Sequence, residues 1–224
     1  SVYANTVRNF ANDVTGYNNL AAGSDLFSAT SRAYISTLRS WLGRANYSYD
    51  GRYNLSLTLR ADGSSRFAEN NKWGLFPSAG LSWNVGREKF IRLGRAVDHL
   101  QVRLSAGVVG NQEIGDYQFV ANVAPTPTPG YYNGMSGMAI VGIGNPDLKW
   151  ERTASYNVGL STGFFRNRLT VVLDAYYKRT SDLLLMVPVE QVSGFETSLR
   201  NVGSVTNRGV ELAIGGTLVS NKQV

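Results

Sequence analysis

Few residues in this chain have the types and spacing that chemistry requires. His99 is the only histidine among 224 residues, and cysteine is absent. A Ser-His-Asp relay, a histidine-rich metal site and a thiolate site therefore have no basis. Asp62-Gly63-Ser64-Ser65-Arg66 carries the small and hydroxyl residues of an anion or metal loop. It supplies one local carboxylate, and no strand–helix unit follows to cradle a phosphate. A turn whose Asp and Ser side chains bond their own backbone fits it better. Gly142-Ile143-Gly144 lacks the third glycine and the strand–helix frame of a dinucleotide site. Glu151 and Glu211 sit on separate candidate strands, and glycoside hydrolysis needs two carboxyls at a defined separation that sequence does not establish. No coherent acid–base set, metal site or cofactor site emerges, so the expectation is a protein that is not an enzyme.

The remaining charged candidates are Arg44, Arg60, Arg103, Asp174 and Lys178. Each lies on the polar side of a segment in which apolar and polar residues alternate. In Tyr53–Asp62, Tyr53, Leu55, Leu57, Leu59 and Ala61 share one face, opposite Asn54, Ser56, Thr58, Arg60 and Asp62. Successive side chains of a strand point to opposite faces, so one side is greasy and the other wet. The length is close to the roughly 9–11 residues that let a tilted strand cross a bilayer. The pattern returns at 41–49, 73–85, 100–109, 150–164, 169–178 and 201–214. Pro77 suits a strand end or a bulge. Asp50-Gly51 is a tight-turn signal, and a helical turn is expected around Glu88–Leu93. The fold class is therefore all-β, an antiparallel up-and-down meander of about seven long strands forming part of a transmembrane β-barrel.

Short connections follow Tyr49 and Phe164; long ones follow Asp62, Val109 and Lys178. Barrels of the outer membrane have short periplasmic turns and long external loops. Residues 1–39, 63–72, 110–149 and 180–200 are thus expected as external loops, with 86–98 moderately long on the short side. In polar lumen positions, the five charged residues above can pair with one another or touch solute. Trp41, Tyr49, Tyr53, Trp73, Trp83, Trp150, Phe164 and Tyr177 stand near strand ends, where an aromatic girdle belongs. Tyr117, Tyr131 and Tyr132 of the longest loop are candidates to stack on a ligand, to pack against a partner, or to close the loop on itself. The run Leu183–Val187 is a candidate interaction patch.

Composition agrees with this picture. The apolar fraction is 43%, which argues against disorder, and the longest apolar run is broken by Pro188. A spanning helix needs about 20 apolar residues. The formal charge is +6, but the basic residues are scattered, so nucleic acid is not an expected partner. Lipid headgroups or acidic lumen partners suit them. The start, Ser1-Val2-Tyr3-Ala4, has no signal-peptide features, as expected for a slice of a longer chain.

Several phrases carry a family resemblance. They are Trp41-Leu42-Gly43-Arg44-Ala45-Asn46-Tyr47-Ser48-Tyr49, Leu59-Arg60-Ala61-Asp62-Gly63-Ser64-Ser65-Arg66-Phe67 and Asn71-Lys72-Trp73-Gly74-Leu75-Phe76-Pro77-Ser78. Further along come Gly107-Val108-Val109-Gly110-Asn111, Asn145-Pro146-Asp147-Leu148-Lys149-Trp150-Glu151, Tyr176-Tyr177-Lys178-Arg179-Thr180-Ser181-Asp182-Leu183-Leu184 and Asn201-Val202-Gly203-Ser204-Val205-Thr206-Asn207-Arg208-Gly209-Val210-Glu211. In this order they resemble the SusC/RagA family of TonB-linked outer-membrane transporters. The resemblance implies a barrel of about 22 strands with a plugged lumen, a SusD-like surface lipoprotein over its mouth, and coupling to the TonB complex. It implies import of glycans, with peptides as the alternative, across the outer membrane of a Gram-negative, Bacteroidota-like bacterium. On that resemblance this chain is expected to be a slice of the barrel, with no plug or TonB box recognisable in it. A passive porin or adhesin and a soluble carbohydrate-binding β-sandwich are the other readings, the last requiring the apolar faces to cover each other.

Overall fold

The computed structural model describes residues 2–10, 23–32, 35–91, 93–94, 96–125, 131–132, 135–136 and 138–217. The chain divides into two units, Ser1–Ser36 and Thr37–Val224. In the first, β1 (Val2–Phe10) pairs antiparallel with β2 (Gly23–Arg32), with a register shift between Thr6 and Val7. Residues 1–39, expected as an external loop, thus hold a two-stranded hairpin. Ladder bonds join backbone groups and do not need apolar alternation, the only signal sequence inspection could use there.

The second unit is built on one antiparallel sheet. Its strands are β3 (Leu38–Tyr49), β4 (Tyr53–Ser64), β5 (Trp73–Asn84), β6 (Val97–Asn111), β11 (Glu151–Phe164), β12 (Leu169–Ser181) and β15 (Ser204–Gly216). They run in chain order from β3 at one edge to β15 at the other. Each has 12–15 residues, longer than a bare crossing needs. The intervening β7 (Asn122–Pro125), β8 (Tyr131–Tyr132), β9 (Met135–Ser136), β10 (Met138–Gly142), β13 (Leu184–Pro188) and β14 (Thr197–Asn201) form small hairpins within the long connections.

Register carries the alternation across the whole sheet. One ladder row reads Tyr47, Leu55, Leu81, Leu104, Val158, Ala175, Val210. The neighbouring row reads Ser48, Asn54, Ser82, Arg103, Gly159, Asp174, Glu211. The apolar face is uncovered: Tyr47, Val158, Val210 and Leu212 are each more than half exposed. Among the described residues no second sheet covers it, so the sandwich reading loses its core. A depression of about 690 Å³ on this face is lined by Gly43, Leu57, Leu59, Ala79 and Tyr156 among others. It offers little to a polar ligand and suits acyl chains. No helix among the described residues is long and apolar enough to cross a membrane.

Two tight turns and the longer β5–β6 connection make the short end. Asp50 and Gly51 both take left-handed backbone, with φ of 51° and 59°, as a tight hairpin turn demands. Phe165, Arg166 and Asn167 do the same. The Phe165 N–H bonds the Ala96 carbonyl at 3.0 Å and the Asn167 N–H bonds the Asp98 carboxylate at 3.0 Å.

Several boundaries differ from expectation. Pro77 lies inside β5, opposite Leu59 in unbroken register. The β5–β6 ladder, however, stops at Ser78–Gly107, beside the residue that has no N–H to give. Where a helical turn is expected at 88–93, the described residues 88–91 and 93 form no helix, and a 3₁₀ turn lies just before them at Val85–Arg87. Gly63 and Ser64 belong to β4, and Asn201 closes β14 before Gly203 (φ 74°) turns the chain into β15. The proline run Pro125–Pro129 lies, beyond Pro125, outside the described residues.

In the intact protein, Leu57→Arg is expected to lower unfolding free energy in lipid vesicles by about 2–4 kcal/mol. Ser56→Arg, one residue away on the polar face, should change it by no more than about 0.5 kcal/mol. Equal losses in urea unfolding would reverse the assignment of the faces.

Candidate functional site

The polar face and the end of the sheet that carries the long connections hold the candidate residues. Arg103 and Asp174 sit on β6 and β12, separated by β11, yet their side chains bridge at 3.1 Å. The intervening ladder position is Gly159. A Cβ there would lie 2.3 Å from the Asp174 carboxylate and 3.0 Å from the Arg103 guanidinium. Glycine thus opens a window through which an ion pair spans three strands. Both partners are over 40% exposed, so screening keeps the pair's contribution to about 1 kcal/mol or less.

Arg44 donates its Nε–H to the Thr58 hydroxyl at 3.2 Å, and Arg60 donates to Asp62 at 2.8 Å. Lys178 lies 5.5 Å from the centre of the Tyr176 ring, a cation–π distance. A groove of about 610 Å³ runs along this face, lined by Arg44, Thr58, Arg60, Ser105, Gln112 and Ser155 among others.

At the loop end, Phe67, Phe76, Ile114, Leu148 and Trp150 form a buried cluster, with Val108, Leu184 and Leu199 against it. Trp150 therefore differs from its expected girdle place. It is 6% exposed, its ring is 5.3 Å from Phe67 and 5.4 Å from Phe76, and its indole N–H bonds the Lys72 carbonyl at 3.1 Å. The segment before it is clamped from β14. The Asn201 side chain accepts from the Lys149 N–H (2.9 Å) and donates to the Lys149 carbonyl (2.8 Å) and the Asp182 carbonyl (2.9 Å). Asn145 donates to the Leu199 carbonyl at 2.9 Å, and Lys149 pairs with Asp182 at 3.0 Å.

Asp62-Gly63-Ser64-Ser65-Arg66 is part of the same bracing. The Ser65 hydroxyl accepts from the Thr37 N–H at 2.8 Å, Ser64 accepts from the Arg66 N–H at 3.1 Å, and Arg66 reaches Asp116 at 2.9 Å. Glu151 accepts from the Asn111 side chain and the Leu184 N–H, each at 3.3 Å. Its ladder position is eight residues from Gly159, whose row holds Glu211. That is about 27 Å at strand rise, far beyond the reach of a carboxylate pair. Among the described residues no group of three or more potential metal ligands gathers.

At the short end, Tyr53 stacks on Trp83 with centroids 6.3 Å apart. The Tyr53 hydroxyl, the Trp83 indole N–H (2.9 Å) and Arg52 (3.4 Å) all donate to the buried Glu88 carboxylate. These bonds, led by Tyr53, hold the Glu88 carboxyl below the ordinary glutamate range. Sequence inspection placed the two aromatics but missed Glu88, which no periodicity marks.

The other girdle candidates lie along the strands. Trp41, Tyr49, Trp73 and Tyr177 are well exposed, and Phe164 is 6.4 Å from Phe165. Tyr117 is exposed with φ of 61° in the connection after β6. Tyr131 and Tyr132 form β8 beside β9, and their side chains lie outside the described residues. Leu185 and Met186 of β13 are exposed, while Leu184 packs inward on the cluster.

A family model described as TonB dependent receptor-like, beta-barrel, matches residues 2–221. The chain is 39% identical over 213 residues to TonB-dependent receptor P39 of Formosa agariphila, covering 95% of the chain and 20% of that protein. It is 37% identical over 202 residues to TonB-dependent receptor SusC of Bacteroides thetaiotaomicron, covering 86% of the chain and 20% of that protein. It is similar to the solved RagAB peptide transporter, with TM-score 0.82 and 36% identity over 91% of this chain and 22% of that one. The siderophore receptor PirA from Pseudomonas aeruginosa, at 18% identity and TM-score 0.52, shares the fold; the match covers 79% of this chain and 30% of that one. The chain thus spans about a fifth of the length of the curated relatives it matches.

Two outcomes test this geometry in the intact protein. Gly159→Val should break the Arg103–Asp174 bridge and crowd the wall, costing about 1–3 kcal/mol. Arg103→Gln alone should cost about 1 kcal/mol or less; chemical unfolding compares them. The depressed Glu88 carboxyl contributes stability above the ordinary glutamate range and loses it as pH falls through its lowered value. Wild-type stability should drop over that acid interval. Glu88→Gln should be less stable at neutral pH and should lack that part of the drop, as read by thermal unfolding in detergent across pH.

Proposed function

The chain belongs to the TonB-dependent receptor β-barrel family, and on that premise we propose that it forms part of the wall of a SusC-like importer in the outer membrane of a Gram-negative, Bacteroidota-like bacterium. One observation carries the reading: seven strands in a single register leave a whole apolar face uncovered opposite a polar, ion-paired one. Lipid satisfies the first face, and a water-filled lumen suits the second. In the intact barrel the edges at β3 and β15 pair with further strands, because hydrocarbon leaves no solvent for open ladder groups.

The work of this segment is mechanical and electrostatic. The ladder and the Arg103–Asp174 and Arg60–Asp62 pairs hold the wall. The Trp150 cluster and the Asn201 clamp keep the long connections packed at the mouth. A SusD-like lipoprotein over that mouth, near the exposed Leu185 and Met186, fits the family's mode of assembly. Contacts to TonB belong to parts of the protein other than this wall segment.

The cargo is a polar oligomer. The family resemblance favours a glycan, with Tyr117, Tyr131 and Tyr132 placed on the longest connection to stack on sugar faces. A peptide is the second reading, favoured by the likeness to the RagAB peptide transporter. Deleting the gene in its host should abolish growth on one purified oligomer class, oligosaccharide or oligopeptide, with growth restored by a plasmid copy. Unchanged growth on both classes would contradict import. Tyr117→Ala in the plasmid copy should weaken uptake at low cargo concentration and leave it near normal at high concentration.

A further inference from the structure

The outward face of the sheet is apolar along most of its length, but three arginines interrupt it near the loop end of β11, β12 and β15. Arg179 pairs with Ala154 on one side and Thr206 on the other, both positions of the outward face. Arg208 pairs with Tyr177, and Arg152 with Ser181. Arg152, Arg179 and Arg208 therefore lie on a diagonal across three neighbouring strands, each step about 7–8 Å. All three are exposed.

Their charges are uncompensated among the described residues. Among the described residues none of the three joins an ion pair. Arg152 gives one side-chain N–H to the Leu75 carbonyl at 3.3 Å, and the guanidinium groups of Arg179 and Arg208 have no hydrogen-bond partner among the described residues. Like charges in neighbouring ladder positions repel, and a low-dielectric surround strengthens that repulsion. The row of Arg208 also holds Tyr156 and Tyr177, whose rings lie 6.4 Å apart. Tyrosines on a lipid-facing wall mark headgroup depth. The next rows toward the short end, Val158 with Ala175 and Val210, then Leu160 with Leu173 and Leu212, carry no charge. The cations thus sit at the level of the tyrosines, just beyond an acyl-facing band. Guanidinium groups present planar forks that match phosphate oxygens.

We propose that Arg152, Arg179 and Arg208 form a docking site on the outside of the barrel for the phosphate of an anionic lipid headgroup in the outer leaflet. This rests on the reading that the apolar face meets lipid. The bound headgroup neutralises the three charges and fixes the height of this part of the wall at the membrane surface.

The test uses the intact protein in nanodiscs of phosphatidylcholine with or without phosphatidic acid, with retained lipid read by native mass spectrometry. The wild type should retain phosphatidic acid in preference to phosphatidylcholine. The triple change Arg152→Gln, Arg179→Gln and Arg208→Gln should reduce that retention about tenfold or more, as expected when several basic groups are taken from an anionic surface. The triple arginine-to-lysine variant should keep most of it. Heat-modifiable migration verifies that each variant is folded. Lys178→Gln, next to Arg179 in sequence but on the opposite face, should leave retention unchanged. Equal retention by wild type and the glutamine variant overturns the proposal, as does displacement of the lipid by inorganic phosphate alone. Loss of retention in Lys178→Gln but not in the arginine variant overturns the assignment of the faces as well.

Discussion

Side-chain direction in a strand repeats every two residues, and seven strands here are locked in one register. Every consequence described above depends on that lock. A slip of β4 by one residue against its neighbours would move Leu55, Leu57 and Leu59 to the side of Arg103 and Asp174 and send Asn54, Ser56 and Thr58 the other way. The pairing from β15 to β3 keeps the two chemistries apart over strands of 12–15 residues. The uncovered apolar rows would be a liability in water at roughly 25 cal/mol for each Å² exposed. Against acyl chains that cost disappears, while every strand still closes its backbone bonds on a neighbour.

Once the two faces are separated, the two ends of the strands can differ. The short end relies on local devices: left-handed turns at Asp50-Gly51 and Phe165-Arg166-Asn167, and a carboxylate, Glu88, that gathers donors from Tyr53, Trp83 and Arg52. The long end relies on packing between connections. Trp150 leaves the wall to join Phe67, Phe76, Ile114 and Leu148, and Asn201 ties one long connection to another. That end of the sheet therefore has a small core of its own, built from segments of several connections.

The strands were legible because alternation survives in sequence, as at Tyr53–Asp62 with its five apolar and five polar positions. The Asp50-Gly51 turn was legible because few residue pairs tolerate its backbone. What escaped is what depends on partners distant in sequence. Gly159 reads as a gap in a pattern until the ion pair above it is seen. Trp150 reads as one more aromatic near a strand start until Phe67 and Phe76 arrive from other segments. β1 and β2 escaped because polar strands leave no periodic trace, and β13 because its run of leucines reads as a loop patch when its partner β14 is unseen. Of the lumen candidates, Arg103 and Asp174 are brought together, and Arg44, Arg60 and Lys178 each find a neighbour on their own face.

The central claim is that one face of this wall meets hydrocarbon and the other meets water. Nitroxide labels placed singly at Leu57 and Thr58 of the intact, membrane-inserted protein test it most directly, through relaxation by oxygen and by a water-soluble nickel chelate. The label at 57 should respond to oxygen and be shielded from nickel, and the label at 58 should do the reverse. Matching responses at the two positions would contradict the account.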